Sequence, residues 1–149
     1  MTVDVRAEVV IERTLDEVAA FACDPDNATL WYENIKEVRW ETARPVAVGS
    51  QLTFVAQFLG RRLAYTYEVR ELVPGERLVM STVQGPFPME TTYTFAATES
   101  GATRMTLGNR GEPSGFSKLA APMLAYAMRR ANEKDLARLK AILEEHDSP

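Results

Sequence analysis

The chemically expressive side chains of this sequence are aromatic rings and thioethers set at every second position. Leu52, Phe54, Ala56 and Phe58 recur through 51–59, Leu63, Tyr65, Tyr67 and Val69 through 62–73, and Met89, Thr91, Tyr93 and Phe95 through 89–97. A period of two places each set on one face of a strand. Met80 and Met105 join them from neighbouring strands, Met123, Met128 and Ala127 from a C-terminal helical stretch, and Trp31 or Tyr32 from a short helical segment. A surface of rings and polarizable sulfurs tipped with hydroxyls suits a planar apolar ligand. The same residues would also fill a solid core: Val69, Phe95 and Leu107 read as core, and Trp31 reads equally as packing residue and pocket wall. The candidate ligand-binding set is therefore Trp31, Tyr32, Phe54, Phe58, Tyr65, Tyr67, Met80, Met89, Tyr93, Met123 and Ala127.

Reactive chemistry has less to draw on. The only histidine is His146, close to the C-terminal end, and the only cysteine is Cys23. No intrachain disulfide forms from one cysteine, and a Cys/His zinc site is excluded within one chain. His146 reads as a solvated histidine and Cys23 as a small buried hydrophobe. An aldol-type cyclisation needs a base beside a carbon acid and donors aimed at the developing enolate oxygen. Tyrosine near its ordinary pKa of about 10 is a donor rather than a base. Glu68 and Glu90 fall on the parity opposite to the aromatic face, and Asn109 shares the last strand with Arg104 and Arg110. No catalytic motif, metal site or cofactor-binding motif is assigned.

The composition sets the class. Of 149 residues 46% are hydrophobic and 26% charged, which is ordinary for a globular chain and expected to form one domain, 1–149. The formal net charge of −4 argues against a nucleic-acid partner, which calls for a basic stripe. No stretch reaches the roughly 18–20 apolar residues needed to span a bilayer. The start, MTVDVRAEVV, lacks a cationic segment followed by an apolar run, so a cytoplasmic monomer or homodimer is the expectation.

The elements that position these residues follow from local signals. Val3, Val5, Ala7, Val9 and Ile11 alternate as a half-buried strand. Thr14 and Glu17 have capping-box spacing ahead of a helix carrying Val18, Phe21 and Ala22. Asp24-Pro25 caps a second short helix running towards Trp31. Six strands follow, about 35–42, 51–59, 62–73, 77–83, 89–97 and 103–110, with turns at Gly60, Pro74-Gly75, Gly85-Pro86 and Ser100-Gly101. Short turns mean an antiparallel meander with one face in need of cover. The cover is the stretch from Phe116 to about Glu145, opened by Ser114 or Gly115, where Phe116, Leu119, Ala120, Met123, Ala127, Ala131, Leu136, Leu139 and Leu143 recur and Pro122 marks a kink or a restart.

This order, with three local phrases, resembles the START-like helix-grip (SRPBCC) superfamily, and within it the bacterial polyketide cyclase/dehydratase-type proteins. The phrases are Thr14-Leu15-Asp16-Glu17-Val18 followed by Phe21 to Asn27 and Trp31; Gly49 to Phe54; and Gly115-Phe116 through Leu119, Pro122-Met123-Leu124, Arg129-Arg130 and Leu136 to Leu139. The resemblance implies an α+β fold in which a curved seven-stranded antiparallel sheet grips a long C-terminal helix, with two short helices between the first two strands. It also implies a cavity for an apolar ligand between sheet and helix. The expected function is binding or carriage of a hydrophobic, lipid- or polyketide-like small molecule. The alternatives are a polyketide cyclase/dehydratase-type enzyme and, more weakly, a co-chaperone-like interaction module, because fold alone does not choose among them.

Overall fold

The computed structural model describes residues 2–113 and 120–145. The helix opening expected at Ser114 or Gly115, the contributions of Phe116 and Leu119, and His146 lie outside the described residues. Strand β1 (Val3–Ile11) leads to helix α1 (Leu15–Ala22), a 3-10 turn (Pro25–Asn27) and helix α2 (Ala28–Trp31). Strands β2 (Ile35–Trp40), β3 (Gln51–Phe58), β4 (Arg61–Val73), β5 (Arg77–Gln84), β6 (Met89–Ala97) and β7 (Thr103–Gly111) follow, then helix α3 (Ala121–Glu145).

The strands form one antiparallel sheet in the order β1-β7-β6-β5-β4-β3-β2. The meander β2 to β7 needs only local turns. Two of them use backbone freedom visible in the sequence. Phe58 pairs with Arg61 across a two-residue loop, Leu59-Gly60, in which both residues take positive φ, 53° and 77°. This is the arrangement whose twist matches paired strands. At Pro74-Gly75 the Glu76 N–H returns to the Val73 carbonyl at 2.9 Å, with Gly75 at φ 72°. Proline presets the first central residue of such a turn and glycine accepts the second. Register shifts in β2 and twice in β4, at Thr66/Tyr67 and Val69/Glu71, bend these strands.

Capping follows the side-chain chemistry. Thr14 Oγ1 accepts from the Glu17 N–H and donates to the Glu17 carboxylate at 3.0 Å, which opens α1. Asp24 Oδ1 accepts from the Asp26 N–H at 3.0 Å, with Pro25 in the first turn. At the start of α3 the Ala120 carbonyl accepts from both Met123 and Leu124 N–H, so Pro122 sits in the first turn, where a missing N–H costs nothing. Pro122 is a helix start and not a kink.

Helix α3 lies on the concave face, and its buried stripe is Leu124, Met128, Asn132, Asp135, Leu136, Leu139 and Leu143. This corrects the expected stripe, in which Met123 and Ala127 faced the sheet. Met123 is 57% exposed, and Ala127 is only half buried. Leu136, Leu139 and Leu143 are buried as expected, but ahead of them Leu124 and Met128 replace Met123 and Ala127, one residue on and about 100° around the helix. Its C-terminal half is pinned to β1 and α2. Lys140 Nζ donates to the Val10 carbonyl, Arg13 Nε to that of Leu143, and Arg138 Nε to that of Leu30. There Leu136, Leu139 and Leu143 fill the core with Ile11, Val18 and Trp31, each leucine contributing roughly 1.5–3 kcal/mol by burial.

Trp31 is fully buried, yet its Nε1 has no hydrogen-bond partner. A buried N–H without an acceptor opposes folding. Trp31→Phe removes that N–H while keeping a ring, so it is expected to change stability by no more than about 1 kcal/mol in urea melts. A loss above about 3 kcal/mol, the range of large core deletions, would contradict this.

Candidate functional site

Under the N-terminal half of α3 the sheet and helix do not meet fully, and a cavity of about 140 Å³ remains. β3 contributes Phe54, Ala56 and Phe58, β4 contributes Leu63, Tyr65 and Tyr67, and β5 contributes Met80. Met89, Thr91 and Tyr93 come from β6, Asn109 from β7, and Phe87 from the turn before β6. Tyr32, Asn34 and Ile35 line it beside α2, and Met128, Ala131, Asn132 and Asp135 close it from α3. An apolar cavity of about 150 Å³ holds one benzene-sized ring. The half-exposed Asn34, Ile35, Phe58 and Met89 mark where a larger ligand would emerge.

Eight of the eleven residues singled out from the sequence line this cavity: Tyr32, Phe54, Phe58, Tyr65, Tyr67, Met80, Met89 and Tyr93. Three do not. Met123 and Ala127 stand on the neighbouring face of α3, for the helical-phase reason given above, and Met128 and Ala131 take their place. Trp31 sits behind the wall, its ring 4.1 Å from that of Tyr32 and 5.7 Å from that of Tyr93.

The polar groups converge on the helix side. The Tyr32 and Tyr93 hydroxyls are 2.7 Å apart. Burial drives both well above the ordinary tyrosine range, and their mutual interaction raises Tyr32 further. Burial likewise pushes Tyr67 up to about 12. These hydroxyls therefore donate and do not act as bases at neutral pH. Thr91 Oγ1 lies 2.7 Å from Asn109 Oδ1 and 3.3 Å from Tyr67 Oη. Its one proton serves the shorter contact. Asn109 Nδ2 in turn donates to Asn132 Oδ1 at 2.9 Å. Asp135, 2% exposed, accepts the Glu33 N–H through Oδ1 at 2.9 Å. Burial raises its pKa to about 7, with Glu33 adding to the shift while the Glu33 N–H and the Arg138 charge oppose it. It is thus the one lining group, among the described residues, that titrates near neutrality.

Asn132 and Asp135 were missed from the sequence because polar residues were assigned outward. A signal was present: counting back by fours from Leu136 and Leu139 reaches 132, 128 and 124, and 135 and 131. Ala131 and Leu136, five residues apart, stand about 140° apart around the helix, and positions 135 and 132 fall between them on that face. The carboxylates set aside on parity are indeed elsewhere: Glu68 bonds Gln51 and Arg70. Cys23 is half buried with its thiol pushed up to about 12 by burial, which makes it a poor nucleophile. Among the described residues no group of three His, Cys, Asp or Glu is placed to hold a metal ion, and no helix is long and apolar enough to cross a membrane.

The hydroxyl pair supports a test of its own. Tyr32→Phe leaves the Tyr93 hydroxyl buried and unpaired, at a cost of about 1–3 kcal/mol. Adding Tyr93→Phe removes that orphan, so the double variant is expected to cost clearly less than the two singles summed. Additive costs in urea melts would mean that the two hydroxyls are not coupled.

Solved structures share this architecture across their length. A protein of Thermus thermophilus aligns at 21% identity over 97% of this chain and 99% of its own, with a TM-score of 0.82. A START superfamily protein from Mycobacterium smegmatis aligns at 15% over 95% and 97%, TM-score 0.83. The ZhuI aromatase/cyclase from Streptomyces sp. R1128 aligns at 14% over 99% and 97%, TM-score 0.81. At these identities the likeness is one of fold. A search of the curated proteins finds no match. The family model described as polyketide cyclase / dehydrase and lipid transport matches residues 2–144. With its sheet, gripped helix and intervening cavity, the chain belongs to the polyketide cyclase / dehydrase and lipid transport family.

Proposed function

We propose that the chain binds or carries a hydrophobic small molecule, lipid- or polyketide-like, in the cavity between β3–β7 and α3. The observation that carries this reading is the wall itself. Phe54, Tyr65, Tyr67, Met80, Phe87 and Met128 surround an unfilled space with few polar groups, where a protein needing only a core would be packed solid. The family description supports it, since it covers lipid transport as well as cyclisation. The proposed contacts are the eight lining residues named from the sequence, with Met128 and Ala131.

The test is solvent extraction and native mass spectrometry of the purified protein. A stoichiometric apolar species, absent from an Ala131→Phe variant, is expected. Protein free of any such species, and unable to take up fatty acids, sterols or aromatic ketones offered at saturation, would refute the reading and leave the interaction-module alternative.

One observation favours the cyclase/dehydratase alternative. Asp135 is a cavity carboxyl whose pKa of about 7 suits proton transfer at neutral pH, and the Streptomyces neighbour is an aromatase/cyclase. An enzyme would lose about 10²-fold or more in turnover on Asp135→Asn while still binding. A carrier would return its ligand unchanged in both forms.

A further inference from the structure

Among the buried side-chain nitrogens and oxygens of the described cavity lining, one has no hydrogen-bond partner. The Tyr32 and Tyr93 hydroxyls share one hydrogen bond, in which one donates and the other accepts. Asn109 is used at both ends, by Thr91 and by Asn132, and Tyr67 has Thr91 within reach. Asn132 is 4% exposed and lines the cavity; its Oδ1 accepts from Asn109, but its Nδ2 has no partner. Native structures seldom leave a buried N–H unpaired, and those they do leave are accounted for by function or by bound molecules. The charges narrow the choice further. Among the described residues that line the cavity there is no Lys, Arg or His, and the only carboxyl is Asp135. Arg61 and Arg138, whose charges reach Tyr65 and Asp135, stand outside the lining, and Glu33 lies on the Asp135 side. An anionic head group entering here would find no counter-charge in the described lining and would approach a carboxyl.

Resting on the reading of this cavity as a ligand site, we propose that its ligand presents an uncharged carbonyl oxygen, as in a ketone, quinone or ester, to Asn132 Nδ2. Ligands headed by a carboxylate are excluded. The cavity then selects neutral oxygenated ring compounds over both fatty acids and bare hydrocarbons of the same shape. The apolar wall supplies the affinity and the Asn132 amide N–H the discrimination, since a polar group built to be paired rejects a partner that cannot pair it.

Three single-ring probes of nearly one shape test this by NMR titration: acetophenone, α-methylstyrene, in which a methylene replaces the oxygen, and benzoate. Raw affinities mix in the probes' different hydration, so the readout is the ratio of acetophenone to α-methylstyrene affinity in wild type against Asn132→Leu. It is expected to fall about tenfold in the variant, the worth of one good hydrogen bond. Benzoate at pH 8 is expected to bind wild type at least about tenfold more weakly than acetophenone. An unchanged ratio, or benzoate binding as well as acetophenone, overturns the inference while leaving the cavity reading intact. Asn132→Leu also removes the acceptor of Asn109, and a variant that fails to fold is covered by infrared spectra of carbonyl-labelled acetophenone on the wild-type protein. The carbonyl stretch should lie below its position in cyclohexane; coincidence with cyclohexane overturns the proposal. Should none of the probes bind, the cavity reading fails and the inference falls with it.

Discussion

Asp135→Asn is expected to stabilise the protein at pH 8 and to leave it nearly unchanged at pH 4. The carboxyl is buried on α3 with a folded-state pKa of about 7, against an ordinary 3.8. Below pH 4 it is protonated in both the folded and the unfolded chain and contributes no difference. Between about 4 and 7 the folded state holds a proton that the unfolded state has released, so stability falls as pH rises. Above 7 it is ionised in both, and the full cost of a buried charge is present, on the order of 4 kcal/mol for a shift of about three units. Asparagine keeps an oxygen to accept the Glu33 N–H but carries no charge. At about 2–4 °C per kcal/mol for a chain of this size, the variant should melt roughly 8–16 °C higher at pH 8. Asp26 and Glu144 are shifted the other way, held down by Arg44 and Trp40 and by the Glu12 N–H and Lys140 respectively. Both groups are present in wild type and variant alike and cancel in the difference. Melting curves from pH 4 to 9 check the expectation; a difference that does not change with pH, or a variant less stable at pH 8, would contradict it.

The second large effect concerns occupancy. A ligand present at a hundredfold excess over its dissociation constant stabilises the folded state by about 2.7 kcal/mol, or roughly 5–11 °C in melting temperature. Ala131 lines the cavity and Ala127, one turn earlier, does not. Ala131→Phe should therefore reduce the shift given by the extracted ligand to under about 2 °C, while Ala127→Phe should preserve it. Overpacking costs about 1–3 kcal/mol by itself, so each variant is compared with its own ligand-free melting point. Equal shifts in the two variants would move the ligand site away from α3.

This pair of alanines also shows where sequence reading succeeds and where it stops. The inward parity of β3, β4 and β6 was legible because a period of two has only two phases, and Phe54, Tyr65, Tyr67 and Tyr93 all mark the same one. The turns at Gly60 and Pro74-Gly75 were legible because φ > 0 and fixed φ have few suppliers. A helix offers many phases, and hydrophobicity placed Leu136, Leu139 and Leu143 correctly but Met123 and Ala127 on the wrong face. Asn132 and Asp135 face inward despite their polarity, because Asn109 and the Glu33 N–H await them there. The cavity was expected from aromatic content and family likeness, but its volume and the unpartnered Asn132 Nδ2 are properties of three-dimensional packing, which no spacing encodes.

The methionines offer the most direct test of the central claim, that a small molecule occupies the space between sheet and α3. Met80, Met89 and Met128 line that space, Met105 is buried elsewhere in the core, and Met123 points to solvent. With methyl-labelled methionine, addition of the extracted ligand should shift the Met80, Met89 and Met128 methyl resonances and leave Met105 and Met123 in place. Shifts confined to Met123, or an unchanged spectrum at saturating ligand, would contradict the account.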